Sequence, residues 1–332
     1  MASARRSRSR GRTIVDLLVF VVIVAVGGAG LVPLWHFLHP EASKASTAVV
    51  AATRAASPAA SPGSRQPALQ PDGVMFDDFH YTGSDDPALQ AHGWQIRTDP
   101  GGPGIQNTWT TSGISFPTVA SAQGGQVLQL QLKSNGTKGG TQQTELKSSQ
   151  ADFYTGTYAA RVYFTDAPAV GPNGDHINEA FYAISPATES AQYSELDYEY
   201  MPNGGWGSAR PELDTTSWHS SRAGDRVYSP LYSRIHGWHT LMITSLHGET
   251  TYWLDDHQLF TNGATYSPRQ PVDVAFSTWL IDLPFAGQRD WNMQVNWFYY
   301  HAGQVQSLHE VQQAVQGYYA KGSNYVNTLT GS

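Results

Sequence analysis

Residues 193–204 read YSELDYEYMPNG and place a carboxylate at every second position: Glu195, Asp197 and Glu199. Only 14% of the chain is charged, so three like charges at this spacing need a reason. Leu196 and Tyr198 fill the gaps, and Tyr193 and Tyr200 flank them. In a strand, successive side chains alternate between faces. The three acids then share one face, and Leu196, Tyr198 and Tyr200 share the other. No basic residue lies within the run to offset the repulsion. Three readings are open. An exposed edge strand uses charge to discourage pairing with other chains. A hard cation such as calcium gathers several carboxylates. Cleavage of a glycosidic bond uses two carboxyl groups, one ionised and one protonated, on either side of the linkage. Glu195 and Glu199 would lie roughly 13 Å apart at Cα. Leaning inward over a concave sheet, their carboxyls would approach the roughly 5 Å used when configuration is retained.

The surroundings of this strand are of the same kind. From about Val74 onward, short runs rich in β-formers are separated by Gly, Pro, Asn and Asp. They include VLQLQLK (127–133), GTYAARVYF (156–164), EAFYAIS (179–185), HTLMITSL (239–246), TTYWLDDHQLF (250–260), VDVAFSTWLI (272–281) and MQVNWFYYH (293–301). Many short strands without intervening helical periods predict an antiparallel sandwich or jelly roll. The tail departs from this. In SLHEVQQAVQGYYAKG, Leu308, Val311, Val315 and Tyr318 recur at helical spacing, and Ser307 with Glu310 forms a capping-box pattern. A short C-terminal helix, packed on the sandwich, is expected within 305–332.

The N-terminal part reads differently. Five arginines crowd residues 1–12, and residues 13–38, TIVDLLVFVVIVAVGGAGLVPLWHFL, are nearly all apolar. Such a run is long enough to cross a bilayer as a helix, and the arginines before it predict an N-terminus retained in the cytoplasm. A cleaved signal peptide has the same charge order and stays an alternative. Either way, the chain beyond residue 38 is expected outside the cytoplasm: anchored to the membrane, or secreted if the segment is cleaved. Residues 39–72, rich in Ala, Ser and Pro, read as a linker. From Gly73 on there are 12 Lys and Arg against 24 Asp and Glu, a net of −12. A domain so acidic repels phosphate backbones, which argues against nucleic acid as a partner.

Other chemistries find little support. The chain has no cysteine, which excludes disulfides, thiolate metal sites and a Cys nucleophile. His176, His219, His236 and His239 lack the spacing of metal ligands. The stretch SWHSS (217–221) has no Gly-x-Ser-x-Gly elbow around it. Trp253, Trp291 and Trp297 read as core.

In sequence, SELDYEYMPNG resembles the catalytic strand of glycoside hydrolase family 16, the group of lichenases, laminarinases and xyloglucan transglycosylases. FDDFHYTGSDDPALQAHGW (76–94) looks like that family's opening strand and loop. TELKSSQADFYTGTYAARVYF (144–164), EAFYAIS, GWHTLMITSLHGETTYWLDDHQLF (237–260), VDVAFSTWLI and MQVNWFYYH come next, in the family's order. The resemblance spans roughly residues 74–303 and implies a concanavalin A-like β-jelly roll with a substrate cleft on its concave sheet. It places the hydrolase domain at 73–304.

By that resemblance Glu195 matches the nucleophile, Asp197 the assisting acid and Glu199 the general acid/base. Glu145 and Lys147 match a Glu and a basic residue that contact the sugar, the latter more often Arg. Tyr193 stands where lichenases carry a stacking Trp, and Tyr182 and Trp279 match aromatic positions of the cleft. Trp218, on the next strand, is a candidate for a further stacking platform. The departure is at HINEAFYAIS (176–185), where laminarinases are Trp-rich. The resemblance implies a retaining endo-β-glucanase acting on β-1,3/1,4- or β-1,3-glucan. It would work as a monomer without a cofactor, a structural calcium ion being left open and no metal ligand assigned. A transglycosylase of the same family and a non-catalytic carbohydrate-binding module are the alternatives.

Overall fold

A computed structural model describes residues 72–329. The basic arm expected over 1–12, the membrane-crossing segment over 13–38 and the linker over 39–72 lie outside the described residues, except for Asp72. Among the described residues no helix is long and apolar enough to cross a membrane.

In chain order the strands are β1 (Val74–Asp77), β2 (Trp94–Ile96), β3 (Ile114–Ser115), β4 (Leu128–Ser134), β5 (Thr144–Ser148), β6 (Gly156–Phe164), β7 (Ile177–Ile184), β8 (Glu195–Met201), β9 (Glu212–Trp218), β10 (Arg226–Leu231), β11 (Gly237–Leu246), β12 (Glu249–Leu254), β13 (His257–Asn262), β14 (Asp273–Leu280), β15 (Arg289–Ala302) and β16 (Tyr325–Asn327). They form two antiparallel sheets. The first runs β13-β12-β11-β6-β15-β1-β16, with β4 added on β15 and β3 on β4. The second runs β10-β9-β8-β7-β14-β5-β2. The expected all-β sandwich is therefore present, and the acidic run occupies an interior strand of the second sheet. β8 is hydrogen-bonded on both sides, to β7 and β9, so the edge-strand reading fails. Two strands that were not among the runs read from the sequence, β9 and β10, follow β8 in the chain.

The core lies between the sheets and follows the alternation. From β8 it takes Leu196, Tyr198 and Tyr200, which meet Phe181 of β7, Leu213 of β9, Phe276 of β14 and Ile243 of β11. Two buried tyrosines stitch the sheets together, and a third ties β8 to flanking loops, through the phenol oxygens they carry into this apolar layer. The Tyr198 hydroxyl lies 2.8 Å from the Met242 carbonyl and accepts from the Trp253 N–H at 2.8 Å. The Tyr252 hydroxyl donates to the Thr216 carbonyl at 2.6 Å. Tyr200 bonds to Asp166 and accepts from the Ile235 N–H at 3.2 Å. With one face of β8 pinned in this way, the opposite face is fixed in register.

The helix expected in the tail is α2 (Leu308–Ala320), whose N-terminus carries the Ser307–Glu310 capping box; a five-residue helix, α1 (Pro87–Ala91), lies near the N-terminus of the domain. Val311 and Val315 of α2 pack on Phe76, Met242, Trp297 and Tyr299, on the face of the first sheet away from the core. The chain then returns as β16, which pairs with β1. The tail is thus part of the sandwich as well as a cover for it.

Candidate active site

Strand register assembles the site. Directly opposed residues of antiparallel strands share a face, so pairings can be followed across the second sheet. One row runs Lys147, Ala275, Tyr182, Asp197, Thr216, Tyr228. The next runs Glu145, Ser277, Ala180, Glu199, Asp214, Pro230. Glu195 faces Trp218, which in turn faces Arg226; Trp279 faces Asn178. All of these lie on the face away from the core. Eight of the nine residues singled out from the sequence fall on it, from five strands, and the ninth, Tyr193, reaches it from just before β8. Ala275, Ser277 and Ala180 are small, and they keep the floor low between Glu145 and Glu199.

Each of the three acids has its own donor. The Tyr193 hydroxyl donates to Glu195 Oε2. The Trp218 ring N–H donates to Asp197 Oδ2 at 2.9 Å. Asn178 Nδ2 donates to Glu199 Oε1 at 2.7 Å. Glu195 and Asp197 are buried, whereas Glu199 is the most open of the three. Burial pushes all three carboxyls up from their ordinary range, because a charge is poorly solvated there. Other influences then separate them. For Glu195, the hydrogen bonds from Tyr193 and Asp197 and the charge of Arg226 work against burial and favour the ionised form. Asp197, between two glutamates, is raised further by both of their charges. Glu199 is raised further by Asp214 and then by Glu195. The arrangement therefore favours an ionised Glu195 beside a protonated Glu199, with Asp197 holding a proton between them.

On the other side of the low floor, Glu145 Oε2 accepts from the Tyr182 hydroxyl at 2.7 Å and from Arg97 Nη1 at 3.3 Å. Arg97 also lies over the Trp109 ring, 4.4 Å from its centroid.

The aromatic residues differ from their expected use as open platforms. Trp218 is 7% exposed and Trp279 3%. The Arg226 guanidinium lies over the Trp218 ring at 4.6 Å, and Trp206 packs against Trp279 with centroids 6.2 Å apart. Trp218 thus presents its N–H to Asp197 while its face lies beneath an arginine. Tyr228 on β10 is the open aromatic of the row, at 52% exposure.

Asn178, Arg97, Arg226, Trp206, Tyr228 and Asp214 were not singled out from the sequence. One signal was there for Asp214: Glu212-Leu-Asp214 repeats the Glu-Leu-Asp that opens β8. The others belong to no motif and become visible only through register. Among the described residues no three His, Asp or Glu side chains converge in a way that would hold a metal ion.

No protein-family model matches the chain, and no curated protein sequence matches it. Solved structures do. The β-glucanase of Bacillus licheniformis superposes over 69% of this chain and 97% of its own, at 16% identity and a TM-score of 0.51. A Bacteroides ovatus glycoside hydrolase family 16 protein of a mixed-linkage glucan locus, in complex with a G4G4G3G product, matches over 67% of this chain and 98% of its own, at 14% identity and a TM-score of 0.52. A lichenase from a mouse hindgut metagenome gives 68%, 98%, 14% and 0.50 in the same order. At such identities the likeness is one of fold: the chain has the jelly-roll sandwich of the family-16 glycoside hydrolases.

Proposed function

We propose that this jelly roll is a retaining endo-β-glucanase, cutting β-1,3/1,4- or β-1,3-linked glucan through a glycosyl-enzyme. The observation that carries this reading is the face of β8, where three alternating carboxyls each have a donor of their own and differ in the charges around them. The fold shared with β-glucanases supports it. In the first step the Glu195 carboxylate attacks the anomeric carbon. The bond to the leaving oxygen breaks, and that oxygen takes the proton of Glu199. In the second step Glu199, now a base, removes a proton from water. The water oxygen displaces Glu195 and leaves the sugar with its original configuration. Asp197, bonded to Trp218, holds Glu195 in line and shields it from Glu199.

The rate should fall on the acid side as Glu195 gains a proton, and on the alkaline side as Glu199 loses one. Tyr182, Glu145 and Arg97 line the sugar-binding side, and Tyr228 offers an open ring for stacking. The apolar segment 13–38 with its leading arginines supports an extracytoplasmic location for the domain. The test is reducing-end release from barley β-glucan, lichenan and laminarin by the wild type and Glu195→Gln. Release by the wild type, lost in a folded Glu195→Gln protein that still binds oligosaccharide, is expected. Undiminished release by the variant, or binding without release by the wild type on all three, would defeat the reading.

A further inference from the structure

β9 brings to the active-site face a carboxylate that neither step of the proposed reaction uses. Asp214 stands directly across the strand pair from Glu199. It is 8% exposed, and its Oδ1 is buried without a hydrogen-bond partner. A buried carboxylate oxygen without a donor is costly, and a strand that needed only a polar side chain there could carry Thr, as it does at 215 and 216. We propose that Asp214 is a positioning residue for the proton donor: its fixed charge makes Glu199 hold its proton until a leaving oxygen takes it. This rests on the glycosidase reading and deepens it.

The groups facing Glu199 can be taken strand by strand. β8 itself contributes Glu195 and Asp197. β7 contributes Asn178, a donor, and Tyr182, opposite Asp197; β9 contributes Asp214 and Glu212; β10 contributes Arg226, which favours the ionised form. Of the charges that oppose ionisation, Asp214 acts most strongly, ahead of Glu195. The two also differ through the cycle. The charge of Glu195 disappears when it bonds to the sugar, and with it goes its hold on Glu199. The charge of Asp214 is consumed in neither step. It persists in the glycosyl-enzyme, where it keeps Glu199 a strong enough base to take a proton from water. Burial raises the Asp214 carboxyl itself only to about 6, with Arg226 opposing, so it is ionised at neutral pH.

The experiment is the pH profile of kcat/KM for wild type, Asp214→Asn, Asp214→Ser and Asp214→Glu, read by reducing-end release. Alongside it, the titration of Glu199 is followed by carboxyl carbon NMR in the same proteins. In the neutral variants the alkaline limb and the Glu199 midpoint should both move to lower pH, by about one pH unit; Asp214→Glu should restore them. A merely structural role would lower the rate at every pH and leave the limb in place, and that result overturns the proposal. If the wild type releases no sugar, the glycosidase reading fails, and the NMR midpoint alone decides whether Asp214 governs Glu199. An unchanged midpoint in whichever neutral variant folds overturns the inference.

Discussion

β8 and β9 both open with Glu-Leu-Asp, lie side by side, and turn their acids to the same face, yet the two strands are furnished differently. On β8, Tyr193, Trp218 and Asn178 supply one donor to each acid. On β9, Asp214 Oδ1 has none. The strands are antiparallel, so the repeat is not aligned: Glu199 meets Asp214, but Glu212 meets Met201, and Glu195 meets Trp218. The difference teaches that an acid's role is set by what register places opposite it. The same tripeptide yields two acids that each have a donor on one strand, and on its neighbour an aspartate with a buried oxygen that has none.

The comparison can be broken or sharpened by mutation. Apart from Glu195→Gln, the largest loss is expected from Glu199→Gln, which removes the transferable proton and should lower kcat by about 10²- to 10⁴-fold with the fold intact. A leaving group that needs no protonation should recover the first step. Trp218→Phe keeps the ring beneath Arg226 and removes only the N–H to Asp197. Asp197 holds a proton, and a hydrogen bond to an uncharged group contributes about 0.5–1.5 kcal/mol, so a loss of about 2- to 10-fold in kcat is expected, with KM little changed. Glu212→Gln should cost no more than about threefold, because it stands opposite Met201 and not a reacting group. A Glu212 variant as impaired as Glu195→Gln would put the chemistry on the wrong strand.

The smallest effect on catalysis, essentially none, is expected from an acid on the other face. Glu179 of β7 is fully buried and accepts from Thr165 Oγ1 at 3.0 Å. Burial raises its carboxyl from 4.5 to about 8. A folded-state value above the unfolded one means that folding holds a proton which the open chain releases. The stability this gives is complete below about 4.5 and gone above about 8. Glu179→Gln should therefore flatten the fall of Tm with rising pH across that window while leaving kcat alone; an unchanged pH slope of Tm would contradict the assignment.

Much of this was legible in residues 193–204, because a period of two is visible within one strand and needs no partner. The tail helix was legible for the same reason, its period and capping box being local. The position of β8 in the sheet was not: alternation looks the same in an edge strand and an interior one. Nor were Asn178 and Arg226, which reach the acids through the register between neighbouring strands and not along one strand. Trp218 shows the limit most clearly. Its residue type suggested a stacking surface, but the neighbour that covers its ring and the carboxylate that takes its N–H come from two other strands. The turn after β8 was half legible: in MPNG, Gly204 adopts φ +76°, and a Cβ there would meet the Ser208 carbonyl oxygen at 2.3 Å, so the loop carrying Trp206 depends on glycine at this point.

The central claim is that Glu195 forms a covalent bond to the sugar, and the direct measurement is to trap it. A mixed-linkage gluco-oligosaccharide carrying fluorine at C2 and a dinitrophenyl leaving group slows the second step more than the first. Mass spectrometry of the treated protein should show the mass of the whole fluorinated oligosaccharide, less its dinitrophenolate, added once, on the peptide that contains Glu195. Steady sugar release with no adduct, or an adduct on any other carboxylate, Asp214 included, would contradict the account.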